Sequence, residues 1–218
     1  MPVSTHQAVS RAKVPVIGIA GGVGAGKSSV VRGVKGLRLS IVDADQAGHH
    51  QLRKPEIREQ LTRVFGNGIV TQDGEIDRKQ LASLVFGTTP EHNQRRELLN
   101  QIVRPGIREE IRQQISSAPQ DVDAIILDAA LLLEAGWAAE CDALIFVETP
   151  LELRRERVAQ NRGWSAEELQ KRESSQWDVE RKKAACHFVV DNSGSPESSA
   201  SQMEQILQTV LQRRSRPR

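Results

Sequence analysis

Gly21-Gly22-Val23-Gly24-Ala25-Gly26-Lys27-Ser28 fits the spacing G-x-x-x-x-G-K-[ST], which builds a cradle for phosphate oxygens. The glycines leave room for backbone N–H groups to converge on an anion. The helix expected to start there adds the positive end of its dipole. Lys27 is placed to reach the β- and γ-phosphates of a nucleoside triphosphate, and the Ser28 hydroxyl to ligate Mg²⁺. A tight strand-to-helix turn alone does not account for Lys27 and Ser28 together. The Asn-Lys-x-Asp guanine signature of GTPases does not occur.

A second constellation is acidic. Asp43-Ala44-Asp45 closes an apolar run, where a doubly wound sheet presents ligands at the carboxyl ends of its strands. A carboxylate facing the γ-phosphate can accept the proton of an attacking hydroxyl. Either aspartate can instead cap the helix that follows. His49 and His50 match no metal spacing and read as solvated or substrate-lining. Asp128 ends another apolar run and can hold Mg²⁺ through water, or be structural. Arg78 follows a turn at Asp73-Gly74, where a substrate phosphate and a structural ion pair are equally good partners. Glu134 is placed to orient Arg78 or another cation. Between 151 and 183 lie Arg154, Arg155, Arg157, Arg162, Arg172, Arg181, Lys182 and Lys183. Most read as a solvated helix face, with one or two free to swing over phosphates.

Five β-branched runs must position these groups: Val14–Ala20, Leu39–Val42, Ala124–Asp128, Ala143–Val147 and His187–Val190. They are continuous rather than alternating, as in a parallel sheet covered on both faces. Helical patterns lie between them over Ser28–Val34, Gln46–Val64, Arg78–Phe86, Glu91–Ser116, Leu151–Asn161, Ala166–Ala185 and Glu197–Arg213. The alternation predicts a doubly wound α/β fold. About 80 residues separate the second and third strands, so a helical insertion sits there. About 40 residues rich in Arg, Lys and Glu separate the fourth and fifth and read as a smaller charged insertion, a mobile lid.

Composition excludes several classes. The chain has 218 residues, 38% hydrophobic and 27% charged, which fits one folded domain rather than a disordered chain. No apolar run approaches the roughly 20 residues of a membrane span. A net charge of +2 and 3% aromatic residues argue against nucleic-acid binding. Cys141 and Cys186 read as buried small hydrophobes, and the expected compartment is a reducing cytoplasm. Residues 1–13 read as a flexible tail, 14–213 as one domain, and 214–218 as a basic tail.

The chain resembles the dephospho-coenzyme A kinases from Ile17 to about Gly194. The matching stretches are Gly18–Ser29, Val42–Asp45, Phe65-Gly66, Asp73–Arg78 with Leu81, and Val85-Phe86. They continue through Pro105, Ile107, Leu131–Glu134, Cys141-Asp142, Gln176 and Asp191–Gly194. The resemblance implies a phosphate-loop nucleoside-triphosphate-binding fold: a five-stranded parallel sheet, a coenzyme A-binding insertion at about 46–118 and a lid at about 151–183. It implies transfer of phosphate from ATP, with Mg²⁺, to the ribose 3′-hydroxyl of dephospho-coenzyme A by a monomer or weak homo-oligomer. It assigns Gly22, Val23, Gly24, Ala25, Gly26, Lys27, Ser28 and Ser29 to ATP, and Asn192 and Gly194 to the border of its adenine. Asp45 becomes the general base and a substrate contact. Arg78, Arg104 and Glu134 fall on the substrate side, and Ser28 and Asp128 at the metal.

Three departures stand out. Arg104-Pro105 replaces the family's His-Pro, and Ala130-Leu131-Leu132-Leu133-Glu134 replaces Pro-Leu-Leu-Phe-Glu. The lid arginine expected four residues after Arg157 is Asn161, so Arg162, one position late, is the candidate. Two other readings stay open: a kinase of the same loop type acting on a nucleoside or nucleotide, and a non-catalytic nucleotide-binding regulator.

Overall fold

The structure, a computed structural model, describes residues 14–87 and 89–215. The tail expected over 1–13 and the end of the basic tail, 216–218, lie outside the described residues. Five strands form one parallel sheet: β1 (Val16–Gly21), β2 (Leu39–Asp43), β3 (Ala124–Asp128), β4 (Ala143–Glu148) and β5 (Phe188–Asp191). Their order is β2-β3-β1-β4-β5. All five expected strands form, but not all are covered on both faces. β1 is buried throughout, whereas the edge strands β2 and β5 leave Ile41 and Val189 exposed. An edge strand has a sheet neighbour on one side only, so fewer elements pack over it.

One sheet face is covered by α1 (Lys27–Gly33) and α9 (Pro196–Ser215), through Val30, Val31, Met203, Leu207 and Val210. The other face packs on α2 (Ala44–Arg53), α5 (Pro90–Ser116), α8 (Val179–Ala184) and the segment after β3, through Ala47, Ile111, Leu132 and Trp137. Helix α9 runs two residues past the expected end of the domain. Arg214, expected in a solvated tail, donates to Asp142 Oδ2 at 3.1 Å.

The insertion after β2 has its own core of Ile57, Leu61, Ile69, Ile76, Leu81, Val85 and Val103. It comprises α2, α3 (Pro55–Phe65), α4 (Arg78–Val85) and α5. The single helix expected over 46–64 is two helices. Lys54 is extended (φ −70°, ψ 129°) because the ring of Pro55 disfavours the helical conformation before it. Helix α5, in contrast, carries Pro105 in its interior. Gly66 ends α3 with φ 82°, and Asp77 caps α4 by accepting from the N–H groups of Lys79 and Gln80. On α5, Glu110 accepts from Gln51 Nε2 at 2.8 Å and pairs with His50 Nδ1 at 2.7 Å. His50 therefore ties α2 to α5.

The segment between β4 and β5 holds α6 (Leu151–Arg162), α7 (Ala166–Glu173) and α8. The helix expected over 166–185 breaks at 174–178, where Asp178 caps α8 by accepting from the Arg181 N–H. That break turns Gln176 and Trp177 back towards the segment after β3.

Candidate active site

The phosphate loop joins β1 to α1 at the carboxyl end of the sheet. Gly24 (φ 77°) and Gly26 (φ 79°) are left-handed, a backbone state that a side chain disfavours. The Ala25 carbonyl, turned outwards, accepts from Asn192 Nδ2 at 2.8 Å and Thr149 Oγ1 at 2.9 Å. Arg157 Nη1 approaches it at 3.4 Å while Nη2 donates to the Asn192 carbonyl at 3.2 Å. These contacts brace the loop from its outer side, so its shape is set before any phosphate arrives.

Ser28 Oγ donates to Asp128 Oδ2 at 2.6 Å. Strand pairing sets Asp128 opposite Asp43 on β2 and Ile19 on β1. Sheet register therefore delivers the loop hydroxyl and two carboxylates to the carboxyl end of the sheet. The two members of the acidic pair separate by role. Asp43 caps α2, its Oδ1 accepting from the Gln46 N–H at 2.9 Å. Asp45 caps nothing and lies in the first turn, where Oδ1 reaches the Ala130 N–H at 3.5 Å. Its pKa is raised, chiefly because the crowded strand ends strip part of its hydration. The Ala130 N–H and Lys27 oppose the rise, while Asp43 and Asp128 add to it. Water still reaches the side chain.

Ser28 and Asp128 fit a hard divalent ion, since a hydroxyl and a carboxylate oxygen stand within hydrogen-bond reach. Among the described residues no group of three His, Cys, Asp or Glu side chains could hold a metal alone. An ion here fits as a partner of the triphosphate, whose oxygens complete its shell.

Several expected residues stand elsewhere. Asn192, expected at the adenine, is buried, and its amide is spent on structure: Nδ2 on Ala25 and Oδ1 on Ser199 Oγ at 2.8 Å. Gly194 is exposed, with nothing within 4 Å of where a Cβ would be. Arg162 lies over the Trp164 ring at 4.7 Å and makes no hydrogen bond to the loop. Five residues on from Arg157, it points about 140° away around α6. Arg154 and Arg157, on the loop-facing side, are the arginines that touch the loop. Glu134 orients a cation, and it is Lys182 and not Arg78: its Oε1 forms an ion pair with Lys182 Nζ at 3.1 Å and accepts from the Trp177 N–H at 2.9 Å. Lys182 also donates to Gln176 Oε1 at 2.6 Å. Arg78 begins α4 as an exposed residue, and Arg104 is half-buried on α5. Neither is tied to the loop by a hydrogen bond or ion pair.

Arg154 and Lys182, expected among solvated charges, are 5% and 2% exposed. No sequence signal separated them from their neighbours. A cleft of about 300 Å³ between the loop and the α7–α8 segment is lined by Gly22, Glu173, Gln176, Trp177 and Lys182. The thiols of Cys141 and Cys186 are half-buried, and desolvation pushes their pKa values up to about 12 and about 11. Both therefore keep their protons at neutral pH. Among the described residues no helix is long and apolar enough to cross a membrane.

The sequence profile of the dephospho-CoA kinases matches residues 15–198. A dephospho-CoA kinase of Enterococcus faecalis is 36% identical over 197 residues, covering 90% of this chain and 97% of that protein. One from Dehalococcoides mccartyi is 38% identical over 179 residues, covering 81% and 88%. The crystal structure of TT1252 from Thermus thermophilus superposes with a TM-score of 0.76 at 30% identity, covering 90% of this chain and 97% of that one.

Proposed function

Because this chain belongs to the dephospho-CoA kinase family and phosphorylates dephospho-CoA with ATP, we propose that the acceptor is the ribose 3′-hydroxyl and Asp45 its general base. Lys27, Ser28, Asp45 and Asp128 gather at the carboxyl end of the sheet, and this observation carries the reading. The Asp45 carboxylate takes the hydroxyl proton as the oxygen attacks the γ-phosphorus. The bond to the β–γ bridging oxygen breaks, and ADP leaves.

The backbone N–H groups of Gly22–Ser29 cradle the triphosphate. Lys27 offsets charge on the β- and γ-phosphates. Arg157 bonds two carbonyls and no carboxylate, so its charge remains available to the same phosphates. The Ser28 hydroxyl, with Asp128 beyond it, would hold Mg²⁺, which would offset charge on the triphosphate. Gly194, on the open loop after β5, borders the adenine. Asn192 acts one step back, by holding Ala25.

Residues 46–118 form the coenzyme A-binding insertion, and the cleft beside Gly22 takes part of the acceptor. Glu134 Oε2 is buried without a partner among the described residues, which supports a substrate donor there. Arg78 and Arg104 serve the charged ends of the acceptor after closure. The free thiols support a reducing, cytoplasmic setting. ADP release measured with and without dephospho-CoA tests the whole reading. Release dependent on that acceptor and absent with nucleosides supports it, and release indifferent to the acceptor refutes it.

A further inference from the structure

Arg154 is a buried cation with an unusual set of partners. Its Nε donates to the Thr149 carbonyl at 3.1 Å, which anchors the guanidinium at the end of β4. Its Nη1 reaches the Val23 carbonyl of the phosphate loop at 3.4 Å and pairs with Glu173 at the end of α7. Nη2 has no hydrogen-bond partner among the described residues. The guanidinium lies against the loop itself: a Cβ on Gly22 would stand 2.8 Å from Nη1. One carboxylate thus holds, beside an anion cradle, an arginine whose fork suits phosphate as well as carboxylate.

We propose that Arg154 is a phosphate-binding arginine held in reserve by Glu173, so that nucleotide binding replaces the carboxylate with phosphate and frees α7 from the loop. The inference rests on the reading that nucleotide phosphates occupy this loop, and goes beyond it by coupling occupancy to the lid. The exchange is favourable for a stated reason. A triphosphate carries several charges against one on Glu173, whose side chain is 25% exposed and regains water on release. Val23 and Thr149 keep the guanidinium in place, so Arg154 changes partner without travelling. The ion pair borders the cleft of about 300 Å³ lined by both Gly22 and Glu173.

A purely structural ion pair makes the opposite prediction for one variant. Glu173→Gln keeps an acceptor for Arg154 but removes the competing charge. Calorimetric titration of the full chain with ATP and Mg²⁺ should show E173Q binding on the order of tenfold tighter than the parent, the size of an ordinary coupling between linked equilibria. Arg154→Gln should weaken binding by a comparable factor, and adding E173Q to R154Q should produce no tightening. Unchanged or weaker binding by a folded E173Q overturns the proposal, as does equal tightening in the R154Q background. Should E173Q fail to fold, Glu173→Asp shortens the reach while keeping the charge. It should tighten ATP more modestly, and unchanged or weaker binding again overturns the proposal. A parent chain that binds no ATP would sink the phosphate-loop reading as well, so the two failures are distinct.

Discussion

Asp45→Asn separates catalysis from helix capping, because the structure gives the two jobs to different residues. Asp43 makes the capping bond to Gln46, and Asp45 makes none. If Asp45 is the base, Asn keeps the shape and the acceptor for Ala130 but cannot take a proton. The expected loss in turnover is roughly 10²–10⁴, equivalent to about 3–5 kcal/mol of transition-state stabilisation. Stability should move the other way. A carboxylate whose folded pKa is raised binds its proton more readily folded than unfolded. It therefore destabilises the fold increasingly as pH rises from the ordinary value of 3.8 through the raised one. At neutral pH the uncharged Asn relieves that destabilisation, along with repulsion from Asp43 and Asp128. D45N should melt at or above the parent temperature while turning over far more slowly. The parent's acid limb should also lie above the range of an ordinary aspartate, and rate should fall as pH drops through it. Steady-state ADP release at saturating ATP and dephospho-CoA gives the rate, and a thermal melt the stability. Turnover within about threefold of the parent, or a lower melting temperature that accounts for the loss, would refute the assignment.

Lys27→Ala should fold and lose phosphoryl transfer, and near-normal turnover would contradict the loop's role. Ser28→Ala removes the hydroxyl that meets Asp128 and should raise the Mg²⁺ concentration needed for half-maximal rate. Full activity of the parent in excess chelator would exclude the metal. Asn192→Ala strips a buried brace of two hydrogen bonds and should cost about 1–3 kcal/mol in urea unfolding, with weaker ATP binding. Arg157→Ala should impair turnover strongly and Arg162→Ala little, since Arg157 holds the loop and Arg162 lies over Trp164. The reverse order would return the role to Arg162. Lys182→Met leaves Glu134 charged and without its cation, and should destabilise by about 3–5 kcal/mol; a shift under about 1 kcal/mol would show that the pair is solvated.

Local chemistry made much of this protein legible in its sequence. The phosphate loop is readable because its glycines, Lys27 and Ser28 act within one turn of chain, and backbone geometry fixes their spacing. The central strands β1, β3 and β4 are readable because burial between two helical layers demands continuous apolar runs. The break at Lys54-Pro55 is local too, since proline restricts the residue before it, but it was not read, and Pro105 shows that a helix can absorb one. Other decisions belonged to tertiary structure. Asp43 and Asp45 are chemically alike, and only the docking of α2 on β3 turned one into a cap and aimed the other at Ala130 and Lys27. Nine cations between 151 and 183 look alike as letters. The rotation of α6 about its own axis put Arg154 and Arg157 on the loop and Arg162 on Trp164. The turn at 174–178 buried Lys182 against Glu134, more than forty residues away in the chain. A side chain's type states what it can bond, whereas its partner is set by the packing of elements distant in sequence.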